Sequence, residues 1–236
     1  MPWPKRFGAP AAKRALTNIE FCIDISGSMT SPFGDGTRYD AAMRETLRFL
    51  DFRKGDAFGL TFFGNNFIHW CPLTTDPSAI RCSLPFMRPE IAPPWFGGTE
   101  IAKALIGCKK QLMSREDGDR MILLITDGDS SDLDNYVEIA QELNKAGVTV
   151  FTVIIGYAQI QDEIVNICRL TGGDAFIADD PNSLLTIFRR IDQMKQAKLE
   201  KTLAEPMDNF APYAWTGLGL ALLGTLALWG LRYTPW

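Results

Sequence analysis

Three features of this 236-residue sequence predict an α/β fold: a doubly wound, mostly parallel sheet with one antiparallel edge strand, followed by a C-terminal transmembrane helix. Near-continuous apolar runs such as "MILLIT" and "VTVFTVII" have the length and β-branched content of strands buried on both faces. Segments with apolar residues at helical spacing alternate with these runs, which implies right-handed crossovers between parallel strands. A charge-free stretch of 23 residues, 209–231, closes the pattern. The length suits one core of about 200 residues with an appendage.

Each element has its own signal. "TNIEFCIDI" (17–25) is a first strand, and "RYDAAMRETLRFLDF" (38–52) places Ala41, Ala42, Leu47 and Leu50 on one helix face. "DAFGLTFFG" and "NFIHWCPLT" meet at a Gly-Asn turn and read as a hairpin, so one of this pair is the antiparallel strand. "DPSAIRCSLPFM" is a short helix interrupted by Pro85, and "RPEIAPPWFGG" is a Pro/Gly-rich loop. The helix "TEIAKALIGCKKQLM" follows, with Thr99 in position to cap it. "DRMILLITDG" is a buried strand, "LDNYVEIAQELNKAG" a helix ending at Gly147, and "VTVFTVIIG" another buried strand. "QIQDEIVNICRLTGG" is helical, "DAFIA" a last short strand, and the segment from Pro181 to Leu203 a long final helix.

Composition narrows the chemistry. With 46% hydrophobic and 22% charged residues, a formal charge of −4 and no Lys/Arg block interleaved with aromatics, nucleic acid is not an expected partner. The five cysteines (Cys22, Cys71, Cys82, Cys108, Cys168) lack CxxC spacing and are odd in number, which reads as isolated thiols in a reducing compartment. His69 is the single histidine, so a Ser/His/Asp or Cys/His engine would have to use it, and no enzyme is expected. Within the strand "FIHWCPLT" it reads as a partly buried structural residue.

The ends of the chain point to a membrane. Four basic residues precede the first acid, Glu20, without an apolar core, so the N-terminus reads as a basic arm suited to anionic lipid or an acidic partner and not as a signal peptide. The stretch 209–231 is long enough for a helix of about 30 Å. Tyr213 and Trp215 at one end and Trp229, Tyr233 and Trp236 at the other stand where interfacial anchors stand. Ala214, Gly217, Ala221 and Gly224 give it one small-residue face. Lys195, Lys198 and Lys201 precede the span and only Arg232 follows it, so the domain is expected on the cytoplasmic side of a bacterial inner membrane, held by a single pass. The expected organisation is a basic arm (1–16), the α/β domain (17–200), a linker (201–208), the span (209–231) and a short tail (232–236).

In sheets of this kind ligands bind beyond the carboxyl ends of the strands, where strand order reverses. Asp24 ends the first strand and Asp127 ends "ILLIT", so carboxylates from separate strands can meet there. Ser26 and Ser28 alternate after Asp24, a spacing that in extended chain aims all three side chains the same way. This all-oxygen set suits a hard octahedral cation, Mg²⁺ or Mn²⁺, whereas zinc would favour Cys or His. A strand running into a turn, with the polar residues capping the next helix, is the plainer alternative for DxSxS alone. "DGDSSDLDNYVE" (127–138) imitates a calcium loop, but Asp132 stands at the required glycine and a strand precedes it, which favours capping contacts instead. Asp129 would add to the negative field of the site.

The combination "FCIDISGSMT", "FGGTE" and "LITDG" resembles the von Willebrand factor type A domain, over about residues 17–195. The resemblance implies a Rossmann-like fold and a metal-ion-dependent adhesion site made of Asp24, Ser26, Ser28, Thr99 and Asp127, holding Mg²⁺, with Mn²⁺ or Ca²⁺ as alternatives. It also implies a protein partner that donates an Asp or Glu to the metal. "PLTTDPSAI", "RYDAAM" and the run from "RRIDQMKQ" through the final span look like bacterial membrane-anchored proteins of the aerotolerance (Bat) type, without their usual N-terminal hydrophobic segments. That likeness implies a MoxR-type AAA+ ATPase or membrane-complex subunits as partners, and a role in assembling or maintaining other proteins. The alternative expectation is a structural subunit docked through the span, its metal serving mainly to hold loops together.

Overall fold

The first strand, β1 (Thr17–Asp24), is buried along its whole length and runs through the middle of a six-stranded sheet. The computed structural model describes residues 16–53, 55–83, 86–128, 130–156, 159–203 and 211–230. Residues 1–15 of the basic arm, Asp129, residues 204–208 of the linker, the ends 209–210 and 231 of the expected span and the tail 232–236 lie outside the described residues.

Beyond β1 come a two-residue hairpin, β2 (Pro32–Phe33) and β3 (Gly36–Thr37), then α1 (Arg38–Phe52), β4 (Ala57–Phe63), β5 (Phe67–Thr74) and α2 (Pro77–Ser83). The second half holds α3 (Ile101–Leu112), β6 (Asp119–Thr126), α4 (Tyr136–Lys145), β7 (Val148–Ile155), α5 (Asp162–Leu170), β8 (Ala175–Ala178), α6 (Pro181–Leu203) and α7 (Ala211–Gly230). The main sheet has the order β5-β4-β1-β6-β7-β8. Every neighbouring pair is parallel except β4 and β5, so the expected antiparallel strand is β5, at the edge. The β2–β3 hairpin was invisible in the sequence because two residues carry no period.

Period-2 alternation sorts the β1 side chains between two core layers. Ile19, Phe21 and Ile23 join Phe49 of α1, Phe58 of β4 and Phe188 of α6 on one side. Cys22 joins Leu105 and Cys108 of α3, Leu143 of α4 and Ile167 of α5 on the other. Phe21 stacks on Phe58 at 6.0 Å and meets Phe49 edge-on at 5.9 Å. Each such fully buried aromatic contributes about 1.5–3 kcal/mol relative to its exposed state. α1 starts at a reciprocal cap: Thr37 Oγ1 accepts from Asp40 N at 3.0 Å, and Asp40 Oδ2 accepts from Thr37 N at 3.1 Å. The five cysteines are free thiols, Cys82 exposed and the others buried.

The chain divides into two compact units, Met1–Gln196 and Ala197–Trp236. The second contains α7, in which Tyr213, Trp215, Leu220 and Leu228 are largely exposed. The charge-free helix of the sequence reading is thus present, but among the described residues no helix is long and apolar enough to cross a membrane.

Candidate metal-binding site

Strand order reverses between β1 and β6: from β1 the chain builds outward to β4 on one side and to β6 on the other. The pairing of these two strands runs to Ile23 opposite Ile125, so Asp24 and Thr126–Asp127 leave the sheet side by side. This is the crevice at which parallel sheets bind ligands.

Asp24 is fully buried. Its Oδ1 accepts from Ser26 N at 2.7 Å and its Oδ2 from the Thr126 hydroxyl at 2.5 Å. Burial pushes its carboxyl up to about 6; the Thr126 and Ser26 hydrogen bonds pull the other way, and the like charge of Asp127 adds to the rise. A buried carboxylate of this kind gains from a cation beside it.

Ser26 is extended, and the chain then closes a 3₁₀ turn over Gly27–Thr30, with Met29 N bonded to Ser26 O at 3.1 Å and Met29 buried as its anchor. Ser28 therefore does not continue an extended strand, as the alternating spacing suggested. The turn carries it back, so that its Oγ lies 3.0 Å from Ser26 Oγ and donates to Asp127 Oδ1 at 2.8 Å. Ser26, Ser28 and Asp127 are thus linked oxygen to oxygen, and Asp24 joins them through the Ser26 backbone amide, with Asp127 buried and Ser28 exposed to solvent.

Thr99 is placed differently. Among the described residues no hydrogen bond joins its hydroxyl to those four; its carbonyl accepts from Ser131 N and Ser130 Oγ, each at 3.3 Å, which ties its loop to the segment after β6. Nor does it cap α3. The first amides of that helix are taken by Ser130 Oγ (Ile101 N, 2.9 Å) and by the two oxygens of Asp132 (Ala102 N and Lys103 N, 3.0 Å each). Asp132 therefore acts as a cap supplied from outside the helix, which accounts for the calcium-loop imitation.

One residue of the site carried no signal in the sequence. Arg38, the first residue of α1, places Nη1 2.5 Å from Asp127 Oδ2. Its guanidinium offsets one of the two carboxylates, whereas Thr126 holds the other by a neutral bond. Thr126 did carry a signal, a hydroxyl at the end of a buried apolar strand. His69 lies on edge strand β5 and is exposed there, not partly buried as expected, because among the described residues β5 has no neighbouring strand on its outer edge; its Nδ1 is 2.8 Å from the Thr61 hydroxyl, and the partial desolvation of the ring lowers its pKa.

The donors present are two carboxylates and hydroxyls; among the described residues no group of three or more His, Cys, Asp or Glu converges. Such a set fits a hard divalent cation. With two carboxylates, one guanidinium and a divalent ion the local sum is +1, so the filled site would attract an anion.

The Thr99 loop is held against β4 by contact with Gly64. Asn65 N bonds Phe96 O at 3.1 Å, Glu100 N bonds Gly64 O at 2.8 Å, and a Cβ on Gly64 would stand 2.0 Å from Phe96 O. Gly64→Ala is expected to displace the loop while leaving the sheet intact: in a magnesium titration followed by thermal unfolding, the metal-induced rise in Tm shrinks by at least half. An unchanged rise would show that Thr99 takes no part in the site.

Residues 19–130 match the family described as von Willebrand factor type A domain. Over 193 residues the chain is 25% identical to the uncharacterized protein YwmC of Bacillus subtilis (strain 168), covering 74% of this chain and 82% of that protein. Its fold is similar to the crystal structure of the conserved hypothetical protein BatB from Bacteroides thetaiotaomicron, with a TM-score of 0.65 at 20% identity over 77% of this chain and 99% of that one. It is also similar to proximal thread matrix protein 1 of the mussel byssus, in a structure whose MIDAS motif holds zinc, with a TM-score of 0.65 at 18% identity over 77% of this chain and 46% of that one.

Proposed function

We propose that this chain, whose residues 19–130 match the von Willebrand factor type A domain, is a membrane-attached, metal-dependent protein-binding module and not an enzyme. The observation that carries the reading is the hydrogen-bonded cluster of Asp24, Ser26, Ser28 and Asp127 at the switch point, joined through the Ser26 amide and the two serine hydroxyls, with Arg38 tipping the filled site toward an anion. Asp24, Ser26, Ser28 and Asp127 would hold the ion, with Thr99 as the family's fifth ligand. Mg²⁺ suits these hard donors best, with Mn²⁺ or Ca²⁺ as substitutes; zinc in the byssus protein supports occupancy by a divalent ion. When bound, the ion supplies a Lewis-acid position for a partner's Asp or Glu.

Attachment to a bacterial inner membrane by a single pass through 209–231, with the domain on the cytoplasmic side, belongs to the same proposal. The absence of charge from that segment, the exposed leucines of α7 and the Lys195, Lys198 and Lys201 flank support it. A MoxR-type AAA+ ATPase is the proposed partner class, on the resemblance of "PLTTDPSAI", "RYDAAM" and the run from "RRIDQMKQ" to Bat-type proteins. The test is affinity capture from native membranes with and without EDTA, using the wild-type chain and Asp24→Ala. Partners are expected to be lost in both arms, and partners retained in both would end the metal-bridge reading. The exposed face of α7 favours a second reading, a subunit docked through that helix; capture that resists EDTA but fails after removal of 209–236 would select it.

A further inference from the structure

The loop between α2 and α3 carries three large apolar side chains that the fold leaves in water: Phe86 is 68%, Ile91 61% and Trp95 64% exposed. The segment is pinned along its length. The Tyr39 hydroxyl donates to Met87 O, Arg88 Nη2 donates to Asp40 Oδ1 at 2.9 Å, and Phe96, buried, has its carbonyl bonded by Asn65 N. Two 3₁₀ turns, Pro89–Ile91 and Pro94–Phe96, stiffen the span between those anchors. Apolar side chains on a backbone already held lose little further freedom when a partner covers them.

Position gives the patch its meaning. The turn Pro89–Ile91 packs beside the turn Gly27–Thr30 that carries Ser28, and the far end of the loop runs directly into Thr99. The Ile91 end of the apolar loop therefore lies beside the turn that carries Ser28, and Trp95 stands four residues before Thr99. A partner segment that delivers a carboxylate to Ser28 has the Pro89–Ile91 turn, with its exposed Ile91, beside it.

We infer that this loop is the selectivity surface of the metal site, receiving a large apolar side chain next to the Asp or Glu of a partner protein segment. The inference rests on the metal-dependent reading above. A carboxylate alone occurs on nearly every protein surface, so the ion by itself selects nothing; an adjoining aromatic and aliphatic anchor does. A protein segment is favoured over a bilayer because the cation within the patch, Arg88, is already matched by Asp40 at 2.9 Å and Glu90 at 3.2 Å. That leaves it little attraction for anionic headgroups.

The experiment presents the full-length chain, in detergent micelles with MgCl₂, to an array of nonapeptides that share a central Asp and vary at the other positions. Leu, Ile, Phe, Met or Trp within three positions of the Asp should be enriched among the bound peptides. The double variant Ile91→Ser/Trp95→Ser should bind those peptides about tenfold more weakly while holding polar-flanked Asp peptides unchanged. Both changes fall on exposed side chains, so unfolding midpoints should match the wild type. Asp peptides bound without regard to flank would overturn this inference and leave the metal reading standing. No magnesium-dependent peptide binding at all would overturn both. If the double variant instead loses only phosphatidylglycerol-vesicle binding or only self-association by ultracentrifugation, the patch belongs to lipid or to a second copy and the inference is wrong.

Discussion

Asp24→Asn is expected to abolish magnesium binding while leaving the protein at least as stable as the wild type. The two consequences have opposite signs because the carboxylate is fully buried. Its charge is costly without a nearby cation, as the rise of its pKa to about 6 through burial reflects. Asparagine keeps the shape and an oxygen for the Ser26 amide, but it removes the charge that a hard cation needs. Wild-type protein should gain about 2.7 kcal/mol when magnesium is raised to a hundred times its dissociation constant, because the ion binds only the folded state. The variant should show no shift over the same titration. Asp24→Ala is the harsher change, since it strands the Thr126 hydroxyl and the Ser26 amide as well. If Asp24→Asn still responds to magnesium at wild-type concentrations, the cation is held elsewhere.

The second large effect concerns a buried acid outside the site. Glu20 lies in mid-β1, with Oε1 accepting from the Thr61 hydroxyl at 2.5 Å and Oε2 without a partner among the described residues. It fits because Gly59 on the neighbouring strand has no side chain: a Cβ there would come within 1.9 Å of Oε2. Burial raises its pKa from an ordinary 4.5 to about 8, with the Thr61 bond a smaller opposing influence. Below pH 4.5 both folded and unfolded chains carry the proton, and Glu20 costs nothing in charge. Between 4.5 and 8 the unfolded chain ionises while the folded one does not, so stability falls as pH rises. Above 8 both forms are ionised and the full cost remains, about 3–5 kcal/mol at roughly 1.4 kcal/mol per pH unit.

Glu20→Gln cannot ionise and should flatten this slope. Urea midpoints measured from pH 5 to pH 9 should converge or cross at the acid end and favour the variant increasingly above neutrality. Parallel profiles for the two proteins would mean that Glu20 titrates normally. His69, joined to Glu20 through Thr61, has its pKa lowered by partial desolvation and therefore acts with the opposite slope, losing stability as pH falls below its ordinary 6.5. Comparing the variants above that point removes its contribution.

Much of this molecule was legible along the chain because its signals are local. The buried strands β6 and β7 announce themselves as apolar runs, and α1 by its spacing together with the Thr37–Asp40 cap. Ser26 and Ser28 could be singled out as an oxygen pair with Asp24, although the reason they converge, a 3₁₀ turn, differs from the extended geometry that drew attention to them. α7 was legible as well, since the helix forms over Ala211–Gly230 inside the charge-free stretch 209–231.

The sequence by itself determined the strands of the main sheet, the helices between them, their order and the oxygen character of the site, since periodicity and composition act within a few residues. Tertiary structure alone decided which partners those oxygens meet. Arg38 reaches Asp127 across 89 positions, Asp132 caps α3 in place of Thr99, and Glu20 is sealed beside Gly59 and Thr61. Each of these contacts depends on β1 lying between β4 and β6, an arrangement fixed by burying two apolar faces at once.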